Sequence, residues 1–105
     1  MEVNDNNFDE KVIEASKKKL IVVDFWADWC VPCNMLAPML SKVVESYGGK
    51  VVLAKVNVDE NPGKSNEYDI NAIPAVKLFK NGEVVDEFTG VQSEDMIKKR
   101  IDKNL

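Results

Sequence analysis

Between Leu20 and Val58 the chain spells strand, helix and strand, and that order leaves one simple way to join the pieces. "LIVVDFWA", starting at Leu20, is β-branched and aromatic and of strand length. It is apolar at both odd and even positions, as a strand covered on both faces must be. "VVLAKVNV", Val51 to Val58, reads as a second strand. Between them Met35, Leu36, Met39, Leu40, Val43, Val44 and Tyr47 recur at helical spacing, and the stripe stops at Gly48-Gly49. Two strands joined by so long a helix are expected to be parallel, with a right-handed crossover.

The flanking segments complete an α/β pattern. Asp5 or Asn6 is placed to cap a first helix that carries Phe8, Val12 and Ile13 on one face and runs to about Ser16. Asn61-Pro62 opens a short polar helix, with a cap residue followed by proline at the first helical position. "AVKLFKNGEVVDEF" alternates on either side of Asn81-Gly82, a strong hairpin signal. Ser93 precedes a last helix with Ile97, Ile101 and Leu105 on one side, acids in its first turn and lysines near its end, which suits the helix dipole. The expected product is a central mixed β-sheet flanked by helices on both faces, built as a single domain over residues 1–105.

Composition narrows the function classes. With 105 residues there is chain for one core and not for two. The 14 basic and 18 acidic residues leave a net charge of −4, which argues against nucleic acid or an anionic membrane as the main partner. "KKK" at Lys17–Lys19 has no aromatic interleaving and reads as a solvated helix end. "MEVNDNNFDE" is too acidic for a secretory signal, and the apolar run from Leu20 to Val23 is broken by Asp24, far short of a bilayer span. A cytoplasmic location follows as the expectation.

Both cysteines and both tryptophans lie in "FWADWCVPCNMLAP", Phe25 to Pro38. A bridge from Cys30 to Cys33 closes so short a loop that its entropic stabilisation is at most about 2 kcal/mol, so a purely structural staple is a poor explanation. A structural zinc site needs about four ligands, and the chain has two cysteines and no histidine. No metal is therefore expected. Redox chemistry has positive support. Cys30 falls where strand gives way to helix, beside unpaired backbone N–H groups and the positive end of the helix dipole, both of which favour thiolate. Cys33 stands one turn further in, more shielded and within reach of the first sulfur, as a resolving thiol must be. Pro32 stiffens the bridge. Asp24, in the middle of "VVDFW", is costly to bury as a carboxylate, and its pKa is expected to rise towards the range of a general base.

"VDFWADWCVPC", "APML", "VNVDENP", "AIPAVKLFKNGE" and Thr89-Gly90 resemble the thioredoxin family, in the same order and at its spacings, from about Phe8 to Leu105. The resemblance implies Cys30 as nucleophile, Cys33 as resolving cysteine, Asp24 as the buried acid that relays the Cys33 proton, and Lys55 as the lysine that sets that acid's charge. It further implies a cis bond before Pro74 and a flat apolar patch of Trp29, Val31, Pro32, Ile73, Pro74, Gly90 and Val91 around Cys30 for binding substrate. Trp26 and Asp59 resemble the supporting pair beneath the site.

The chain departs from the family pattern at three places. Val31 stands where glycine is usual, Asn34 where a lysine or arginine is common, and Ala75 where threonine is usual. The bulk of Val31 bears on substrate fit and potential, and the missing cation at position 34 is expected to raise the Cys30 pKa slightly. The implied function is reduction of protein disulfides by a monomer with no cofactor beyond its own dithiol. Thioredoxin reductase is the implied partner that resets it. The rivals are an oxidant or isomerase on the same fold, and a binding subunit whose turnover is incidental.

Overall fold

The computed structural model describes residues 1–105. Its sheet has four strands, β1 Leu20–Trp26, β2 Val51–Asn57, β3 Ala75–Lys80 and β4 Glu83–Thr89, in the order β2-β1-β3-β4. Strand β1 pairs in parallel with β2 and antiparallel with β3, and β3 pairs antiparallel with β4. The expected mixed sheet is thus observed, with the crossover made by helix α1, Val31–Glu45. Asn81 and Gly82 both adopt left-handed φ, +54° and +83°, which is what a two-residue hairpin turn matched to strand twist requires. The buried Ser16 holds that turn: its carbonyl accepts from Asn81 N–H and its hydroxyl from Gly82 N–H, each at 2.8 Å.

Two apolar layers enclose the sheet. On one face Leu20, Val22, Val76, Leu78 and Phe88 pack against Leu36, Leu40 and Val43 of α1 and against Ile97 and Ile101 of α3, Glu94–Asn104. On the other, Ile21, Val23, Phe25, Ala54, Val56 and Phe79 pack against Phe8 and Val12, with Tyr68 and Ile70 at the margin. The alternation along β1 assigns its even residues to the α1 face and its odd residues to the other. Leu105, expected on the buried side of the last helix, is exposed, because α3 ends at Asn104. The Ser93 cap forms as expected, its hydroxyl accepting from Met96 N–H at 3.2 Å.

The expected caps of the other two helices are corrected. The first helical segment is a π-helical turn, Asp9–Glu14, followed by a 3-10 turn, Ala15–Lys17, and neither Asp5 nor Asn6 caps it. Asp5 instead reaches across the fold to helix α2, Pro62–Glu67, where its carboxylate accepts from Gly63 N–H at 3.0 Å and Lys64 N–H at 2.8 Å. Asn61, the sequence-local candidate, spends its side chain elsewhere: Oδ1 accepts from Asp5 N–H and Nδ2 donates to the Asn57 carbonyl. A short helix starting after a proline has two free N–H groups in its first turn, and a distant carboxylate satisfies them as well as a neighbour does.

Asp5→Ala is expected to cost about 1–2 kcal/mol in denaturant unfolding, the usual value of a lost cap. A Cβ at Gly63 would stand 2.9 Å from the Asp5 carboxylate, so Gly63→Ala acts by displacing it. In the Asp5→Ala background the same change is expected to be neutral or stabilising, through the better helix propensity of alanine.

Candidate active site

Helix α1 begins at the sulfur chemistry. Cys30 is its N-cap, with extended φ and ψ of −89° and 103°, and its Sγ accepts from Cys33 N–H at 3.2 Å. Pro32 occupies the first turn, where a missing N–H costs nothing. Cys30 and Cys33 are joined as a disulfide, with Cα atoms 5.3 Å apart. The expected contrast between an exposed Cys30 and a shielded Cys33 is not seen in this oxidised form: the residues are 4% and 2% exposed, packed with Ala27 and flanked by Trp26, Val58 and Ile73. What distinguishes them is position, Cys30 at the positive helix end and Cys33 inside the first turn.

The rim around the buried sulfurs is apolar and open. Trp29 is 68% and Val31 67% exposed, and Pro32 and Val91 are exposed beside them. Ile73 is half-buried against the cysteines and joined to Pro74 by a cis peptide bond. Gly90 N–H donates to the Pro74 carbonyl at 2.8 Å, which brings the Gly90–Val91 loop to the same rim. Pro74 itself is buried, so the patch expected from the sequence loses it from its surface and keeps it as a support.

The tryptophan assignments are also corrected. Asp59 accepts from Trp29 Nε1 at 2.8 Å, so the pair is Trp29–Asp59 and not Trp26–Asp59. Asn57 fixes the loop that presents Asp59, its Oδ1 accepting from Asp59 N–H and Glu60 N–H. Trp26 instead lies beneath Lys55, whose ammonium is 4.7 Å from the ring centroid, a cation–π distance.

Asp24 is 1% exposed, and neither carboxyl oxygen has a hydrogen-bond partner. Burial pushes its pKa from 3.8 up to about 6; the Lys55 ammonium pulls it back and the Glu2 carboxylate pushes it further up. As an even residue of β1 it faces the α1 layer with Leu20 and Val22. It lies near the end of β1 from which the chain passes into α1, and Cys33 is in the first turn of that helix. Asp24 and the end of α1 that carries Cys33 therefore lie at the same end of the sheet. Lys55 is the register partner of Asp24 on β2. The Glu2 contribution went unread in the sequence, because nothing local says that Met1–Val3 runs beside β2.

Comparison with known proteins agrees with this geometry. The thioredoxin family model matches residues 1–103. A thioredoxin of Chlorobaculum thiosulfatiphilum is 41% identical over 104 residues, covering 99% of this chain and 94% of that one. A thioredoxin of Staphylococcus haemolyticus is 40% identical over 105 residues, covering 100% and 97%. The chain belongs to the thioredoxin family.

As a thioredoxin-type protein-disulfide oxidoreductase, the chain carries its redox group as the Cys30–Cys33 pair. No group of three or more His, Cys, Asp or Glu side chains stands together as a metal site. No helix is long and apolar enough to cross a membrane. Two of its departures from the usual thioredoxin pattern can be placed. Val31 projects into solvent beside the disulfide, and Asn34 Nδ2 donates to the Asp28 carbonyl at 3.3 Å, tying down the loop that leads into Cys30.

Because Asp24 holds its proton more tightly when folded than when unfolded, its contribution to stability falls as pH rises from about 4 to about 6, then stays constant. Asp24→Asn is therefore expected to stabilise the oxidised protein at pH 7 by about 3 kcal/mol. The gain should vanish below pH 4, as read from urea unfolding across that range.

Proposed function

We propose that this thioredoxin reduces protein disulfides by dithiol–disulfide exchange through the Cys30-Val31-Pro32-Cys33 bridge. The observation that carries the reading is a disulfide at the N-terminus of α1, rimmed by exposed apolar side chains and backed by a buried, unpartnered carboxyl. In the reduced protein the Cys30 thiolate attacks one sulfur of the substrate disulfide. That S–S bond breaks, a mixed disulfide forms on Cys30, and the other substrate sulfur leaves as thiolate and takes up a proton. Cys33 passes its proton to Asp24, attacks Cys30 Sγ and expels the second substrate sulfur. Two electrons have moved to the substrate and the Cys30–Cys33 bond is restored. Lys55 sets the charge around Asp24.

Trp29, Val31, Pro32, Ile73, Gly90 and Val91 form the substrate-binding surface, with Pro74 supporting it from below. An extended substrate segment adds briefly to the backbone at Ile73, as a strand adds to a sheet edge. A rim that is apolar and carries few directional groups suits many different disulfide proteins. The protein acts as a monomeric single domain over residues 1–105 in the cytoplasm, needs no cofactor of its own, and is reset by thioredoxin reductase. The exposed bulk of Val31 favours one second reading, a more oxidising thioredoxin-fold protein that makes or shuffles disulfides.

Cys30→Ser is expected to abolish reduction of a protein disulfide by the NADPH and thioredoxin reductase system. Cys33→Ser should stop after one attack and accumulate the mixed disulfide, visible by mass spectrometry. A double Cys variant that keeps its cellular role would refute an enzymatic reading and favour a binding subunit. The equilibrium potential of the pair, read from Trp26 and Trp29 fluorescence, is expected near about −270 mV. A value near about −120 to −180 mV would assign the oxidant or isomerase role instead, with Val31→Gly the first reversion.

A further inference from the structure

The N-terminal residues form a short fifth line of pairing outside β2. Lys55 N–H donates to the Met1 carbonyl and Val3 N–H donates to the Lys55 carbonyl, both at 2.8 Å, and Glu2 pairs in parallel with Lys55. On its other side Lys55 pairs in parallel with Asp24. Register partners on adjacent strands project from the same face. Glu2, Lys55 and Asp24 therefore make a transverse row, negative, positive, negative, across three neighbouring chain segments. The row continues to Val76 on β3 and Phe88 on β4, which are uncharged. Lys55 and Glu2 are the charged members of the row around Asp24.

The ammonium in the middle belongs to neither carboxylate. It rests over the Trp26 ring, and the Asp24 oxygens receive no hydrogen bond from it. At Asp24 the two potentials add with opposite sign, the Lys55 ammonium favouring the carboxylate and Glu2 opposing it. Strands lie about 4.8 Å apart, so Glu2 stands two spacings, about 10 Å, from Asp24. That separation is close to the Debye length of about 10 Å at 0.1 M salt, and the coupling runs partly through the low-dielectric sheet.

We propose that Glu2 is a positioning residue of the redox site: its carboxylate, one segment beyond Lys55 in the same row, opposes the Lys55 charge and keeps Asp24 a base strong enough to take the Cys33 proton at near-neutral pH. The inference rests on the reading of Asp24 as the Cys33 proton acceptor. Its physical basis is the row of three strands, with the burial of Asp24 and the opposing influences of Lys55 and Glu2 in support. Glu2 is exposed and its backbone pairing does not depend on its side chain, so Glu2→Gln removes charge and little else.

The test is the titration of the Asp24 carboxyl, followed by carbon NMR in the full-length oxidised protein, with Glu2→Gln, Glu2→Asp and a remote control, Glu83→Gln. Glu2→Gln should weaken proton binding at Asp24 on the order of twofold to fivefold at low ionic strength, moving the midpoint to lower pH. Half-molar salt should shrink the difference, Glu2→Asp should restore most of the wild-type midpoint, and Glu83→Gln should leave it in place. The acidic limb of the pH profile for resolving the mixed disulfide should move with the midpoint, while rates well above that limb stay the same. An unmoved midpoint, or an equal movement in Glu83→Gln, overturns the inference and leaves the disulfide-reductase reading intact. A moved midpoint with an unmoved pH profile also overturns the positioning role, and in that case the fault lies with Asp24 as proton acceptor.

Discussion

Strand β1 is paired along both edges and covered on both faces, and the rest of the molecule is arranged by that fact. Its odd residues Ile21, Val23 and Phe25 anchor one layer and its even residues Leu20 and Val22 the other. The parallel partner on one side forces a crossover helix, while the antiparallel partner β3 on the other continues through a two-residue turn into β4. The crossover leaves β1 at its C-terminal end, which is where α1 must begin. The redox cysteines thus sit where strand geometry delivers the chain to the positive end of a helix, with Trp29 exposed in the turn before α1 and Val31 exposed at the first position of the helix.

The same strand carries the one charge-bearing side chain that packing alone would exclude. Placing a carboxyl at position 24, in the even series, removes it from water with nothing to hydrogen-bond it. Leucine or valine there would be more stable on any apolar accounting. The cost is tolerable because the group can stay protonated until the pH is near neutral, which is also the range in which the proposed transfer of the Cys33 proton would take place. Stability and reactivity are here opposite consequences of one burial. Lys55 moderates it without cancelling it, since a direct ion pair would return the acid to its ordinary range.

How far the sequence was legible follows from how local each signal is. Strand and helix periods, the Asn81-Gly82 turn and the Ser93 cap depend on neighbours within a few residues and are found in place, except that Met35 and Leu105, at the ends of their helical stripes, are exposed. Leu105 is a local error of helix length, and most of the other errors are matters of long-range partnership. Asp5 caps a helix almost sixty residues away instead of its own, Asp59 bonds Trp29 instead of Trp26, and Pro74 is covered instead of presented. Cys30 is a related case: its place at the helix end was readable, but its burial depends on how Ile73 and Trp26 close over the disulfide. Glu2 was unreadable for the same reason, as its partner is fixed only once β2 has an edge to offer.

That edge also explains why Lys55 is suited to its place. A half-buried lysine needs somewhere to put its charge, and its neighbours on this face include two carboxylates and an indole. The Trp26 ring offers attraction without a proton to exchange and without fixing the ammonium against either acid. A cation so placed acts on Asp24 through space, and Glu2 on the far side of β2 acts in the opposite sense. The fold thereby separates two tasks that a salt bridge would merge, satisfying the lysine on an aromatic face and leaving the neighbouring carboxyl free to take a proton.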